Sequence, residues 1–525
     1  MSRINSNIPS LIARANLGRA NQDLEVRLQR LSTGLRINRG ADDPAGLIVS
    51  ERLRSDLEGV QQGIRNADRA SSVIATTEGA LAEVNDLLNS IRALVVEGAN
   101  TGAFSDEEIE ANQLQIDSAI DSITRISNTA TFGGLKLLNG SLDYTLSGVA
   151  ASAISRATVR GASFLNANTL DVQVDVVASA QQGALFLSGL LGTADGGTTY
   201  GVVASSSTLR ITGEKGVVEI DIASGTSLTE LVNAVNKQTS FSGVEAALIN
   251  GDPTSGVVFQ AAEFGSDAFV SVERIGGPET GDWFELVKFN DDQPIPDNPG
   301  AFWAGVMAAE VASAKRDNGR DVQALINGSL GRGNGLSVSL ASPSLSVDIM
   351  LDEDLATLAG APGNTMSSFS ITGGGALFQL GPDVTAQQQV NIGVQSVAAS
   401  TLGGTLIGDS LEFLSSLKTG GGNSLEESNT EGNFEPASQI LGNAIDEVSQ
   451  LRGRLGAFER NVLQTNVRSL QTSFENLSSS ASNIRDADFA RETSELTRAQ
   501  ILTNSTTQIL GLANQQSQQV LQLLG

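Results

Sequence analysis

Apolar residues recur at helical spacings of three, four and seven from Leu53 to Val95, and no other feature of the 525-residue chain constrains its fold so strongly. Such spacing places every apolar side chain on one face of an α-helix. Asp42, Asp43 and Pro44 are typical of a helix start, and Gly98 of a helix end. A helix over about residues 43–98 would be roughly 80 Å long, too long for a compact globule. The stripe comprises Leu53, Leu57, Val60, Ile64, Ala67, Ile74, Leu81, Val84, Leu88, Ile91 and Val95.

Two more helices and a hairpin are predicted beside this one. A capping box at residues 105–108 starts a second helix that runs to about residue 129 and folds back on the first. Residues 132–140, with Gly-Gly and Asn-Gly pairs, predict a short hairpin. Near the other end, Pro436 opens a helix that extends to about Leu477. The stripes of these long helices predict a packed helical core whose contact residues include Leu53, Leu57, Val60, Ile64, Leu81, Leu88, Ile91, Leu455 and Phe458.

The extreme ends of the chain carry matching amphipathic patterns. Leucines at heptad-like spacing run through residues 1–40, opposite a basic face. A final helix is predicted from about Asp486 to Leu524, and residues 499–525 contain no charge. A helix without charges to face water is usually packed on other helices. On periodicity alone, ordinary amphipathic helices remain the simpler interpretation. The stripes comprise Leu17, Leu24, Leu28, Leu31, Leu35, Phe489, Leu496, Ala499, Leu510, Ala513, Val520 and Leu524.

The middle of the chain differs in charge and in pattern. Residues 141–430 hold 12 Lys/Arg against 31 Asp/Glu, whereas the helical ends are nearly balanced. This acidic surplus repels nucleic acid and anionic membranes, so the middle is predicted to face water. A capping box at Ser227 and Glu230 starts a short helix among strands, which predicts a small α+β module. Predicted strands are 209–212, 217–222, 244–249, 257–261, 269–272, 336–340, 345–350 and 369–372.

Composition excludes most enzyme designs. The chain has no cysteine and no histidine, which removes zinc sites built on them, Ser/His or Cys/His catalysis and disulfides. Asp352, Glu353 and Asp354 could hold calcium or act as an acid/base pair. Because they lack the glycine and the ligand spacing of a calcium loop, a solvated surface run is favoured. We expect no catalytic residue, metal or cofactor.

Targeting signals are equally sparse. No window is apolar enough for a transmembrane helix, and the first residues contain no apolar core of a signal peptide. Taken alone, these features would predict a cytoplasmic protein.

Motifs at both ends resemble the bacterial flagellin family. They are LSTGLRIN at 31–38, DDPAGL at 42–47, RNAD at 65–68, TEGAL at 77–81, TFGG at 131–134 and LLNG at 137–140, followed by RGRLGA at 452–457, IRDADFA at 484–490 and ANQ at 513–515. Residues 209–275 are similar to the flagellin insert module. Arg460-Asn461-Val462 departs from the usual Asn-Arg-Leu of the family.

The resemblance implies a multidomain fold with an all-α coiled-coil core from both chain ends and a central, mainly β or α+β outer region. It implies an inner core of residues 1–42 and 481–525, core helices and a hairpin at 43–145, outer modules at 146–365 with the insert near 205–278, and a return to the core at 366–480 with a long helix near 436–477.

The implied function is that of a structural subunit, not an enzyme, which is exported unfolded without a cleaved signal peptide. It would polymerise with its own copies into the extracellular helical filament of the flagellum, which drives motility. Implied partners are an export chaperone, the export apparatus, the filament cap and hook-junction proteins, with no nucleic acid or membrane. A hook-filament junction protein is the alternative in the same superfamily. A metalloprotease insert, known in some flagellins, is excluded because its zinc motif needs histidines.

Resemblance also identifies segments that host flagellin receptors would contact. Residues 88–94 read LNSIRAL where flagellins that stimulate the animal Toll-like receptor resemble LQRxREL, so Ser90 replaces the anchoring arginine and weak recognition is expected. A plain exposed helix position is the alternative. Residues 29–50 stay close to the segment sensed by plants. The candidate receptor residues are Leu88, Ser90, Arg92, Leu94, Asp42 and Asp43.

Overall fold

The computed structural model describes residues 7–102, 104–164, 169–188, 190–192, 198–276, 284–289, 311–342, 344–357, 366–408 and 410–524. Its contacts divide the chain into two compact units, each assembled from distant segments. Unit 1 comprises Met1–Ser71, Phe378–Gln389 and Phe458–Gly525, and unit 2 comprises Ser72–Leu377 and Val390–Ala457.

The described helices are concentrated at the two ends of the chain, as the sequence predicts. In chain order they are α1 Ile8–Thr33, α2 Pro44–Gly98, α3 Asp106–Thr129, α4 Leu228–Asn236, α5 Thr239–Ser242, α6 Glu353–Ala356, α7 Leu425–Glu431, α8 Glu435–Phe458, α9 Gln464–Arg485 and α10 Phe489–Leu524. Short 3-10 turns occupy Ile249–Gly251, Ala386–Gln388 and Leu414–Leu417, and a π-helical turn occupies Glu459–Leu463.

Local capping explains why the predicted ends of α2 and α3 are confirmed. Helix α2 begins at Pro44 and ends at Gly98. In α3 the capping box is complete, since Ser105 Oγ accepts from the Glu108 amide while a Glu108 carboxylate oxygen accepts from the Ser105 amide. The cap satisfies amides that the first helical turn leaves unpaired.

Three helix predictions need correction. Helix α1 stops at Thr33 rather than near residue 40, because Gly34 takes a left-handed φ of 72° and its amide donates to the Arg30 carbonyl oxygen. The final helix starts at Phe489 rather than Asp486, because Asp488 Oδ1 accepts from the Ala490 amide and caps it there. The helix predicted over 436–477 is interrupted by the π-helical turn and continues to Arg485 as α9.

The described strands lie between these helical ends. They are β1 Thr131–Phe132, β2 Leu135–Lys136, β3 Tyr144–Ser147, β4 Ile154–Ala162, β5 Leu170–Ala178, β6 Ala184–Ser188, β7 Leu190–Gly192, β8 Thr198–Tyr200, β9 Ser207–Gly213, β10 Val217–Ile222, β11 Val244–Leu248, β12 Gly256–Ala261, β13 Phe269–Ile275, β14 Leu286–Phe289, β15 Val311–Ser313, β16 Arg316–Asn318, β17 Gln323–Ile326, β18 Ser329–Leu330, β19 Arg332–Asn334, β20 Ser337–Ala341, β21 Leu345–Leu351, β22 Met366–Gly374, β23 Ala376–Gln379, β24 Gln389–Ile392, β25 Thr405–Ile407 and β26 Ser410–Glu412.

Unit 2 contains two antiparallel β cores. The first packs the sheet β18-β17-β5-β22-β3 and the sheet β19-β20-β21-β4 around a shared apolar cluster that includes Val174, Ile326 and Ile349. The second combines the sheets β10-β9-β13-β16 and β11-β12-β6-β14-β15 with helix α4, whose Leu231 is buried among them. This second core contains the predicted α+β module, and each strand predicted within it is present.

The helices of unit 2 bury the stripes that the sequence predicts. In α2, Leu81, Leu88 and Ile91 have no exposed surface, and Leu455 of α8 is 1% exposed. Leu53, Leu57, Ile64 and Phe458 belong to unit 1 and are half-buried there, whereas Val60 is fully buried. Continuous apolar stripes of this kind stabilise long helices, because isolated helices are only marginally stable in water.

Candidate functional site

Helices α1 and α10 lie side by side and antiparallel in unit 1. At one end Asn7 Nδ2 donates to the Ala513 carbonyl oxygen at 3.0 Å. At the other end the Arg36 amide donates to the Arg485 carbonyl oxygen at 2.7 Å. Leu35 and Asp486 form an isolated antiparallel bridge there. The first and last helices of the chain are thus joined at both ends of their contact.

Small residues form the most buried part of this contact. Ala13 is 4%, Ala499 1% and Ala513 8% exposed. Alanine at these positions lets two helix backbones approach closely without loss of helix propensity. Ala499 and Ala513 belong to the predicted stripe. Ala13 was not predicted, because the stripe of the first helix was identified from its leucines alone.

The predicted leucine stripe is only partly covered within one chain. Leu28 is 48% and Phe489 63% exposed. The side chains of Val520 and Leu524 lie outside the described residues. The remaining larger members of the predicted stripe are half-buried, namely Leu17, Leu24, Leu31, Leu35, Leu496 and Leu510.

Unit 1 therefore exposes many large apolar side chains. Soluble monomers rarely expose extended apolar surface, and such surface usually marks a contact with another molecule. Members of this exposed apolar set lie on α1, on the first turns of α2 and on α10, and they are Ile8, Leu11, Ile12, Val26, Leu28, Ile48, Val49, Phe489, Ile501, Leu502, Ile509 and Leu512.

A buried ion pair fixes the register of α1 against α10. Glu492 is 6% exposed, and its carboxylate oxygens lie 3.1 Å from Arg27 Nη1 and 3.3 Å from Arg30 Nη1. Burial lowers the pKa of Arg27. The hydrogen bond and the charge of Glu492, together with Asp23, raise this pKa by more than burial lowers it, so the pKa is raised overall. Sequence periodicity gave no indication of this pair, because both arginines belong to the predicted polar face.

The candidate residues for plant sensing have structural roles in the loop between α1 and α2. Asp42 Oδ2 accepts from the Arg39 amide at 2.9 Å and from the Asn38 amide at 3.0 Å. These two backbone hydrogen bonds lower the pKa of Asp42. Asp43 Oδ1 accepts from the Gly46 amide at 2.9 Å and so caps the start of α2.

The animal-receptor candidates lie on α2 in unit 2 and split between two faces. Leu88 is buried and Leu94 half-buried, whereas Ser90 and Arg92 are exposed. Ser90 Oγ donates to the Asp86 carbonyl oxygen at 2.9 Å, a bond within its own helix. Position 90 therefore offers a short polar side chain to solvent.

Groups that could perform chemistry do not converge in the described part of the chain. No group of three His, Cys, Asp or Glu residues lies close enough together there to hold a metal ion. Asp352 instead caps the short helix α6, accepting from the Asp354 amide. None of the described helices has the length and hydropathy needed to cross a membrane.

Comparison with known proteins identifies both helical ends and the insert. The model of the bacterial flagellin N-terminal helical region matches residues 4–143, and that of the C-terminal helical region matches residues 438–524. The model of the flagellin hook IN motif matches residues 208–263, within the second β core.

Similar proteins span the whole chain. A flagellin of Salmonella muenchen is 28% identical and a B-type flagellin of Pseudomonas aeruginosa is also 28% identical, and each comparison covers 99% of both chains. A solved structure of hook associated protein-3 from Legionella pneumophila covers 83% of this chain and 98% of its own at 11% identity. Its TM-score of 0.29 is too low to support any conclusion.

The full-length relatives do not favour the junction-protein alternative, and flagellins are structural proteins rather than enzymes. Both helical ends, the insert and the whole-length similarity agree. The chain belongs to the bacterial flagellin family and is a structural subunit of the flagellar filament, the organelle of motility.

Proposed function

We propose that this subunit is exported unfolded, without a cleaved signal peptide, and polymerises outside the cell into the helical flagellar filament. The observation that carries the proposal is the exposed apolar set on α1, α2 and α10. These side chains lie on the helices that also form the α1–α10 contact. Copies of the same chain, with the same exposed helices, supply a matching apolar partner.

The α1–α10 contact buries too little apolar surface to keep both ends of the chain helical by itself. Its seam relies on alanines and half-buried leucines, while ordering a backbone costs about 1–2 kcal/mol per residue. We therefore expect residues 1–40 and 486–525 to be disordered in the free subunit and helical in the filament, where neighbours cover the remaining apolar surface. In the filament, α1 and α10 would form the inner coiled coil.

Limited proteolysis compares the two states directly. Protease should remove both ends of the free subunit and leave a stable fragment that begins near Asp43, while the filament should resist. Terminal helices that are as protected from hydrogen exchange in the free subunit as residues 53–95 would contradict the proposal.

A substitution in α10 tests polymerisation itself. Leu510→Asp places a carboxylate in the half-buried seam, where an unpaired charge is strongly unfavourable. The variant should stay soluble but fail to extend filament seeds in electron micrographs. Ser368→Asp, on an exposed position of β22, is the matched control and should polymerise normally. Normal polymerisation of Leu510→Asp would refute the assigned interface.

The proposal brings further partners with it. An exported filament subunit needs an export chaperone and the export apparatus before assembly, and it meets the filament cap and the hook-junction proteins at the two ends of the growing polymer. Host flagellin receptors are proposed partners of α2 and of the loop that carries Asp42 and Asp43.

A further inference from the structure

A cavity of about 140 Å³, lined by charged and apolar side chains, lies in unit 2 between β4, β21 and helix α8. Arg156 and Arg160 both line the cavity from β4, and Asp348 lines it from the paired strand β21. Glu447 and Arg454 lie seven residues apart on α8, which places them on one face of that helix. Three guanidinium groups and two carboxylates therefore line one small space.

Two of the arginines already have carboxylate partners. Arg156 forms an ion pair with Glu447, and its Nη2 donates to the Thr401 carbonyl oxygen at 3.0 Å. Arg160 forms an ion pair with Asp348, and its Nη2 donates to Gln450 Oε1 at 2.8 Å. Both carboxylates of the wall are used by these pairs.

Arg454 is held differently. Its Nη2 donates to the Gly393 carbonyl oxygen at 3.0 Å, and its buried Nε has no hydrogen-bond partner among the described residues. Burial, together with the charge of Arg160, lowers the pKa of Arg454. A guanidinium carries five N–H donors, and leaving them unmet in a buried place is unfavourable.

A further counter-charge that acts on Arg454 is weak. Asp143 acts electrostatically on Arg454, but burial raises the pKa of Asp143 and so disfavours its ionised form. Burial raises the pKa of Asp348 as well. The cavity thus combines an incompletely paired guanidinium with Asp348, a carboxylate whose charged form is itself disfavoured.

We propose that this cavity binds a small inorganic oxyanion of the phosphate class, with the Arg454 guanidinium as its main ligand and Arg156 and Arg160 beside it. A guanidinium offers parallel N–H donors that match two oxygens of a phosphate. The bound anion would accept hydrogen bonds from the part of the Arg454 guanidinium that lines the cavity and offset the third positive charge of the wall. It would also hold β4 and β21 against α8, because its ligands come from both sides.

Calorimetric titration of the full-length soluble protein with inorganic phosphate tests the site. Ionic strength is held constant with chloride, because phosphate also stabilises proteins in general by exclusion from their surface. We expect one saturable site and a higher unfolding temperature in phosphate than in chloride. Arg454→Gln should weaken phosphate binding by about tenfold or more, since it removes the charge-assisted hydrogen bonds.

Arg452→Gln is the matched control. Arg452 lies on the same helix, and its buried Nε also has no hydrogen-bond partner in the described part of the chain, but it does not line the cavity. It should bind phosphate like the wild type. Absence of saturable binding to the folded wild type would show that the cavity holds water only, and equal affinity in wild type and Arg454→Gln would equally overturn the site. If Arg454→Gln does not fold, Arg454→Lys keeps the positive charge but lacks the parallel N–H donors of a guanidinium. It should still bind phosphate more weakly than the wild type.

Discussion

Glu492 is the residue on which the polar contact between α1 and α10 depends. It is nearly fully buried and faces two arginines that are each about one-fifth exposed, at 22% for Arg27 and 21% for Arg30. Breaking a buried ion pair from one side leaves the other charge without compensation. The pair therefore specifies which turn of α10 lies against which turn of α1.

Replacement of Glu492 by Gln should weaken the filament. The variant keeps the size of the side chain but removes the charge that pairs with Arg27 and Arg30. The expected loss of stabilising free energy at the α1–α10 contact is about 1–3 kcal/mol. Thermal depolymerisation of filaments measures the effect, and the midpoint should fall. Glu495→Gln is the control, because the ion pair described for Glu495 is with Arg498, at 3.7 Å, and the Arg498 side chain is 72% exposed. Equal midpoints for Glu492→Gln and wild type would contradict the role of this pair.

Ser90 is the residue that is predicted to weaken recognition by the animal receptor. It is exposed on α2, and its hydroxyl is satisfied within the helix. An arginine buried in an interface often contributes about 2 kcal/mol or more to the free energy of binding. Ser90→Arg should raise receptor activation in a reporter-cell assay, whereas Asn89→Arg, one position along on the exposed helix surface, should not. Equal activation by wild type and Ser90→Arg would favour the interpretation of position 90 as a plain surface site.

Helix α3 fastens the loop that returns the chain to the helical core. Gln113 is fully buried, and its Nε2 donates to the Leu417 carbonyl oxygen while its Oε1 accepts from the Leu425 amide. One turn further, Asp117 accepts from both the amide and the hydroxyl of Thr419. The glycine-rich segment after Thr419 is therefore anchored on both sides to one helix.

The Asp117 contact makes this attachment sensitive to acid. Burial raises the pKa of Asp117. The hydrogen bonds from Thr419 and Gln113 and the charge of Lys418 lower this pKa by more than burial raises it, so the pKa is lowered overall. A carboxyl with a lowered folded pKa adds stability above its unfolded pKa of about 3.9. That stability is lost as pH falls through the lower, folded pKa.

Denaturant unfolding at a series of acidic pH values tests this attachment. Asp117→Asn should lower the free energy of unfolding at neutral pH, and the difference from wild type should shrink toward low pH. Asp121→Asn is the control, because Asp121 is 68% exposed and its ion pair with Lys418 is at the surface. A difference between Asp117→Asn and wild type that is independent of pH would count against the titration.

At the scale of the whole molecule, the β cores and the long helices bury different sets of apolar residues. The two β cores bury their own clusters, and the predicted stripes of the long helices lie elsewhere. Removal of residues 150–365 leaves β3 and β22, which pair directly with each other through Ser147 and Ser370. The deletion would remove the ion pair between Arg156 and Glu447 of α8, but it would leave the apolar stripes of the long helices in place.

Deletion of residues 150–365 should still permit filaments. They should be thinner than wild-type filaments, because the removed segment forms the outer modules in our proposal. Electron microscopy measures the diameter, and circular dichroism controls for intact helices. Loss of all assembly in a variant that keeps its helical signal would contradict the separation.

Much of the helical architecture was determined by the sequence alone. Pro44, Gly98 and the Ser105–Glu108 capping box act on neighbours within one or two turns, so the ends of α2 and α3 could be read locally. The strands of the insert follow in the same way from short apolar runs and a capped helix at Ser227.

Only the tertiary structure decided how distant segments meet. Strand β4 pairs with β21 almost 190 residues later, Leu35 bridges to Asp486, and Glu492 is buried against Arg27 and Arg30. The cavity beside Arg454 exists because β4, β21 and α8 converge. Periodicity reports which face of an element is apolar, but the choice of partner, the register and the burial of a charge depend on contacts between residues far apart in the chain, which leave no repeating pattern in the sequence.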